Sequence, residues 1–139
     1  NNGAFLHDRR LRVSARQHLP DALIATGMPF MGHGDPDRYI PTLQAVIGEV
    51  AGIRRFGSAA LDLVYLAAGR CDGFWEYGLK IWDIAAGVLI VREAGGFVTD
   101  ATGRDRSLET GDVVAGNDRI HEKLLRLVKA ADPGPQNPA

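Results

Sequence analysis

Residues 82–96 read WDIAAGVLIVREAGG, and this stretch constrains the fold more than any other. Its residues Ile84, Val88, Val91 and Gly95 recur at helical spacing, which predicts a helix with one buried stripe. Asp83 stands at the start of that helix, where a carboxylate caps exposed backbone N–H groups and favours the positive end of the dipole. Ala85, Ala86 and Gly87 are small in succession, so the helix can lie close against another backbone. Ala94-Gly95-Gly96 ends it, because glycine tolerates the left-handed turn at a helix C-terminus. Phe97-Val98-Thr99-Asp100 follows as a short β-type run.

The rest of the chain alternates in the same way. Residues 3–13 read as two short β runs around a turn at His7-Asp8-Arg9. Residues 21–26 are β-like, and residues 31–37, with Gly32, Gly34 and Pro36, read as a mobile loop. Residues 36–51 form an amphipathic helix with Ile40, Leu43, Val46, Ile47 and Val50 on one face, and Pro41 is tolerated near its start. A short strand over 53–56 leads to a helix capped by Ser58 and stopped by Gly69, with Leu61, Val64, Tyr65 and Ala68 as its buried stripe. Residues 72–77 and 112–116 are strands, and the second leads into a final helix with Ile120, Leu124, Leu127 and Val128 inward. Residues 1–131 read as one unit and 132–139, rich in proline, as a disordered tail. The fold class is therefore α/β, with helices layered on a sheet.

Several function classes drop out. The formal net charge is −1 over 139 residues, so no broad basic field points to nucleic acid or a membrane surface. The apolar runs are too short to span a bilayer. The single cysteine, Cys71, excludes an internal disulfide or a multi-cysteine metal site and fits a reducing cytoplasm. Neither a Gly-x-Ser-x-Gly elbow nor a phosphate-binding Gly-Lys loop is present. His7, His18, His33 and His121 show no paired spacing and read as surface residues. Phe74, Trp75 and Trp82 read as core.

Carboxylates and helix N-termini remain, the equipment of metal-assisted phosphate chemistry. Asp83 is a helix cap with an oxygen to spare. Glu76, at the end of a strand seven residues earlier, reads as a solvated or ion-paired glutamate near Lys80. Gly57-Ser58-Ala59-Ala60 opens a helix. Arg54 and Arg55 just before it read as ion-paired or interface residues, with phosphate contact as the alternative.

The unbroken W-D-x-A-A-G…E-A-G-G pattern resembles the second signature of the inositol monophosphatase family, the magnesium-dependent sugar and inositol phosphatases. Gly57-Ser58-Ala59-Ala60 and the G-A-F-x-x-D-R-R-L-x-V-S string from Gly3 are similar to bacterial members. The resemblance runs from about residue 3 to about residue 127 and covers only the C-terminal half of a family member. The start at Asn1-Asn2-Gly3, without an initiator Met, agrees with a partial chain.

The resemblance implies a mixed sheet and a cytoplasmic homodimer. It implies Mg2+ bound by Asp83, and Glu76, Gly57, Ser58 and Ala59 around a phosphorylated polyol. The implied reaction is hydrolysis of inositol 1-phosphate by a metal-activated water with no covalent intermediate. Fructose 1,6-bisphosphate, 3′-phosphoadenosine 5′-phosphate and histidinol phosphate are rival substrates, and a non-catalytic interaction module on the same fold is the alternative class. The family's N-terminal Glu and its Asp-Pro-x-Asp-Gly-Thr metal loop have no match here. Asp35-Pro36-Asp37 is only an echo, followed by Arg38-Tyr39. The 139 residues alone are therefore expected not to turn over substrate.

Overall fold

The computed structural model describes residues 3–136. In chain order the elements are β1 (Phe5–Leu6), β2 (Arg9–Arg10), β3 (Leu23–Thr26), α1 (Pro36–Ile47), β4 (Gly52–Arg54), α2 (Ala59–Ala67), β5 (Gly73–Glu76), α3 (Ile81–Glu93), β6 (Phe97–Thr99), α4 (Ser107–Thr110), β7 (Val113–Gly116) and α5 (Asp118–Ala131). β1 and β2 form a small hairpin. The other five strands make one mixed sheet in the order β4-β3-β5-β7-β6. β4, β3 and β5 are parallel to one another, whereas β7 runs antiparallel to both β5 and β6.

Strand side chains alternate between two cores, as a period of two requires. Ile24, Trp75 and Val114 point to the side covered by α1 and α5, where they meet Tyr39, Val46, Ile120 and Leu124. Ala25, Phe74, Val113 and Ala115 point the other way, to Leu63 and Leu66 of α2 and Ile84, Val88 and Val91 of α3. The molecule is thus helix pair, sheet, helix pair, and the layered α/β expectation holds. The small run 85–87 also serves as expected at one position. A Cβ on Gly87 would sit 2.7 and 2.8 Å from Cδ1 and Cβ of Leu63, so α2 and α3 approach over that glycine.

Two helices turn a different face inward from the one their apolar spacing predicts. α1 buries Tyr39, Thr42 and Val46 while Ile40 and Ile47 are exposed. Its polar groups are satisfied inside the core: the Trp75 indole N–H donates to the Thr42 hydroxyl at 3.0 Å, and the Tyr39 and Thr26 hydroxyls share a hydrogen bond of 3.0 Å. Tyr39 also stacks on Trp75, with centroids 5.8 Å apart. α2 buries Asp62, Leu63, Leu66 and Ala67 and leaves Leu61 exposed. That helix is apolar nearly all round, so its pattern alone does not select a face. Trp82 is a further correction: it is 77% exposed and not part of either core, unlike Phe74 and Trp75. His121 is buried rather than on the surface, its ring Nε2 sharing a hydrogen bond of 2.9 Å with the Thr99 hydroxyl.

Long-range polar ties close the unit. The Asp72 carboxylate accepts from the Leu23 N–H at 2.7 Å and pairs with Arg16 at 3.3 Å. Asn117 caps α5, accepting from the Ile120 N–H, and its amide donates to the carbonyls of Ser14 and Arg16. Polar contacts continue past α5 into residues 132–136. Arg38 grips the Asp132 carboxylate with two hydrogen bonds of 2.9 Å and reaches Asp112 at 3.1 Å, and the Gln136 N–H donates to Asp35. The guanidinium of Arg38 also lies over the Tyr77 ring, 4.0 Å from its centroid. Residues 137–139 of the expected tail lie outside the described residues.

Candidate active site

Because β3, β4 and β5 are parallel, their C-terminal ends lie along one edge of the sheet, the edge at which open α/β sheets bind ligands. Gly27 follows β3 there. Glu76 is the last residue of β5. The chain leaving β4 passes through Arg55 and Gly57, at φ 91, and enters α2 at Ser58. The positive φ at Gly57 is a conformation that other residues rarely adopt, and it turns the strand exit into the helix start.

Each functional side chain is set by its element. Ser58 caps α2, its hydroxyl oxygen accepting from the Leu61 N–H at 3.3 Å, so its own proton remains free to donate outward. Asp83 is not the cap of α3, as its sequence position predicts. Lys80 occupies that place, Asp83 is the third helical residue, and its Oδ2 accepts from the Lys80 N–H at 3.2 Å. This is half of a capping box, in which the third residue reaches back to the cap. Among the described residues the other Asp83 oxygen makes no hydrogen bond.

Glu76 faces two small clefts. One of about 140 Å³ is lined by Gly27, Tyr39, Glu76 and Gly78, and one of about 60 Å³ by Gly27, Arg55, Ser58, Ala59, Asp62 and Glu76. Gly57, Ser58, Ala59 and Glu76, all singled out in the sequence, therefore share the smaller cleft. Glu76 forms no ion pair with Lys80 among the described residues. Burial pushes its carboxyl up to about 7, helped by the negative charges of Asp62 and Asp83 and opposed by Arg55. Asp83 is thus felt at Glu76 electrostatically, but it lines neither cleft.

Sequence reasoning missed Asp62. It is 1% exposed, its Oδ1 has no hydrogen-bond partner among the described residues, and burial raises its carboxyl to about 6. The signal was its place one turn beyond the Ser58 cap, which stacks the two side chains on one helix face. Arg55 also belongs to the site, where the sequence favoured an ion pair or an interface for it.

The model of the inositol monophosphatase family matches residues 1–132. The chain belongs to the inositol monophosphatase family. It is 56% identical over 131 residues to an inositol-1-monophosphatase of Rhizobium meliloti (strain 1021), covering 94% of this chain and 49% of that protein. To a protein of Pseudomonas aeruginosa named Nus factor SuhB it is 50% identical over 129 residues, covering 91% of this chain and 48% of that one. It superposes with a TM-score of 0.88 on the crystal structure of extragenic suppressor protein suhB from Bartonella henselae, at 56% identity over 93% of this chain and 50% of that one. The chain spans about half the length of the curated relatives it matches.

A family implying Mg2+ raises the question whether these residues fit one. A hard cation takes oxygen ligands, and magnesium demands a near-octahedral set of them. Asp83 has an unused carboxylate oxygen at a helix start, which suits one position. Among the described residues no group of three His, Cys, Asp or Glu is arranged to hold a metal ion. The described residues thus offer one carboxylate oxygen of this kind and not the near-octahedral set that magnesium demands. Among the described residues no helix is long and apolar enough to cross a membrane.

Proposed function

We propose that this chain is the polyol-binding half of a magnesium-dependent phosphatase acting on inositol 1-phosphate or a closely related sugar phosphate. The observation that carries the reading is the convergence of Glu76, Ser58 and Ala59 on one cleft at the carboxyl edge of the parallel strands, with the Asp83 charge acting on Glu76. In this reading Asp83 holds one edge of the metal, and Glu76 accepts hydrogen bonds from neighbouring ring hydroxyls. Ser58 donates to the ligand, and the exposed N–H groups at the start of α2, beside Gly57 and Ala59, favour its negative charge. When bound, Mg2+ supplies neutralisation of charge on the phosphoryl oxygens.

Of the residues lining the two clefts, Arg55 alone carries a fixed positive charge, which supports a monophosphate over fructose 1,6-bisphosphate or 3′-phosphoadenosine 5′-phosphate. The reading includes a cytoplasmic homodimer with no nucleic-acid or membrane partner. It also holds that turnover needs metal ligands beyond Asp83, so these 139 residues alone are inactive.

Substituting Asp83→Asn in the full-length protein tests the reading. The amide oxygen still accepts from Lys80, so folding holds, while loss of the charge weakens Mg2+ and phosphatase activity by about 100-fold or more. Unchanged activity with unchanged magnesium dependence would remove the enzyme reading. A second reading, a non-catalytic interaction role on the same fold, is favoured by the 50% identity to a protein named Nus factor SuhB. It predicts full biological function in the Asp83→Asn protein.

A further inference from the structure

The smaller cleft contains more acceptor capacity than the polyol reading uses. Its wall includes Asp62, whose carboxylate is buried to 1% and whose Oδ1 meets no donor among the described residues. A buried acceptor left without a partner costs free energy, about 1–3 kcal/mol and more when charged. An orphan of this kind persists where something outside the chain satisfies it.

The orphan is well placed to meet a ligand. Asp62 lies one turn into α2, its backbone N–H donating to the Ser58 carbonyl at 2.8 Å, so side chain and cap look into the same space. Glu76 lines the same cleft, and both Glu76 and Gly27 also line the larger one. About 60 Å³ is room on the scale of one hydroxyl-bearing carbon or a few waters. Arg55 already brings a positive charge to this wall, and the carboxyl-raising burial disfavours a full pair of anions. Both facts argue for an uncharged hydrogen-bond donor over a cation.

We propose that Asp62 is a second ligand-binding carboxyl of the pocket, accepting a hydrogen bond from a hydroxyl of the phosphorylated polyol that enters beside the one held by Glu76. This rests on the polyol-phosphatase reading and deepens it. Asp62 and Glu76 then form a paired acceptor. The site selects a ligand with two donors on neighbouring carbons and disfavours one in which either hydroxyl is missing.

The test uses the full-length protein with magnesium, inositol 1-phosphate and a set of its monodeoxy analogues, with inorganic phosphate as a probe of the phosphate subsite. In Asp62→Ala the KM for inositol 1-phosphate rises about tenfold or more. Inhibition by inorganic phosphate holds at the wild-type level. One deoxy analogue that is poor for the wild type loses no further ground in the variant, which identifies the hydroxyl. The thermal midpoint does not fall, because an orphaned carboxylate has been removed. If Asp62→Ala does not fold, Asp62→Leu, close in size and without an acceptor, is read in the same way. A KM within twofold of wild type together with a raised thermal midpoint overturns the proposal and makes Asp62 a structural carboxyl. A wild-type protein that neither binds nor hydrolyses any phosphorylated polyol fails at the earlier step and takes both readings with it.

Discussion

The Glu76 carboxylate occupies the space that a side chain on Gly27 would need, since a Cβ built there would overlap its Cδ and both oxygens. Gly27 has no positive φ, so the glycine is required for room and not for backbone shape. Gly27→Ala is therefore expected to fold and to displace Glu76. Overpacking of this kind costs about 1–3 kcal/mol. The measurable outcome is a raised KM for the polyol phosphate with a modest fall in urea midpoint. An unchanged KM would mean that Glu76 has no fixed role in binding.

Stability should fall as pH rises through neutrality. The folded protein holds the Glu76 proton up to about 7 against an ordinary 4.5, and the Asp62 proton up to about 6 against 3.8. Their contribution is complete below the ordinary values and is lost as pH climbs through the raised ones. The negative charge of Asp83 adds to the rise at Glu76 and the positive charge of Arg55 opposes it. Urea unfolding at pH 5 and pH 8 should show the decline, and Glu76→Gln should flatten it. A wild-type curve rising over that interval contradicts the assignment.

Arg38→Ala strands two partly buried carboxylates, Asp132 and Asp112. Leaving a buried charge uncompensated costs about 3 kcal/mol, more than a surface pair provides. Burial alone would raise the Asp132 carboxyl, but hydrogen bonds from Arg38 and the Gly134 N–H hold it below its ordinary value. Its stabilisation is therefore present at neutral pH and lost on acidification. The variant should lose stability at pH 7 and converge on wild type at low pH, as followed by urea unfolding. Equal stability at pH 7 would show that the latch contributes nothing.

Gly87→Ala sets two effects against each other. Alanine gains about 1 kcal/mol of helix propensity over glycine. The new methyl meets Leu63 at 2.7–2.8 Å, including its Cβ, which cannot swing away. The clash is expected to win, with a net loss of about 1 kcal/mol, whereas in a Leu63→Ala background the same change should stabilise relative to Leu63→Ala alone. A stabilised single variant would mean that α2 and α3 separate easily.

How much was legible follows from the kind of signal each residue gives. The α3 stretch could be read because small residues, a buried stripe and a glycine stop agree with one another, and Gly87 lies where the helices meet. The Ser58 cap was legible for the same reason. The buried face of α1 was not, because Tyr39 and Thr42 enter the core through hydrogen bonds with partners 13 and 33 positions away. Trp82 misled because large aromatics are usually buried, and its exposure is visible only in three dimensions. Asp62 was hidden by an apolar helix whose pattern points nowhere in particular. Asp132 looked like the start of a proline-rich tail until Arg38, 94 positions earlier, was placed beside it.

The strand order carries a consequence for biosynthesis. Of the described strands β7 is made last, yet it sits between β5 and β6 in the interior of the sheet. Until it emerges, β5 offers an open edge and β6 has no partner at all. Roughly forty residues separate the ends of β5 and β7, so at ordinary translation rates the gap lasts about 2–8 s. During that interval a nascent chain displays Phe74 and Trp75 beside an unpaired backbone. The chaperone-dependent stage of this protein's life should fall in that window, and a ribosome stalled just after β6 has cleared the tunnel should hold the most aggregation-prone form of the chain.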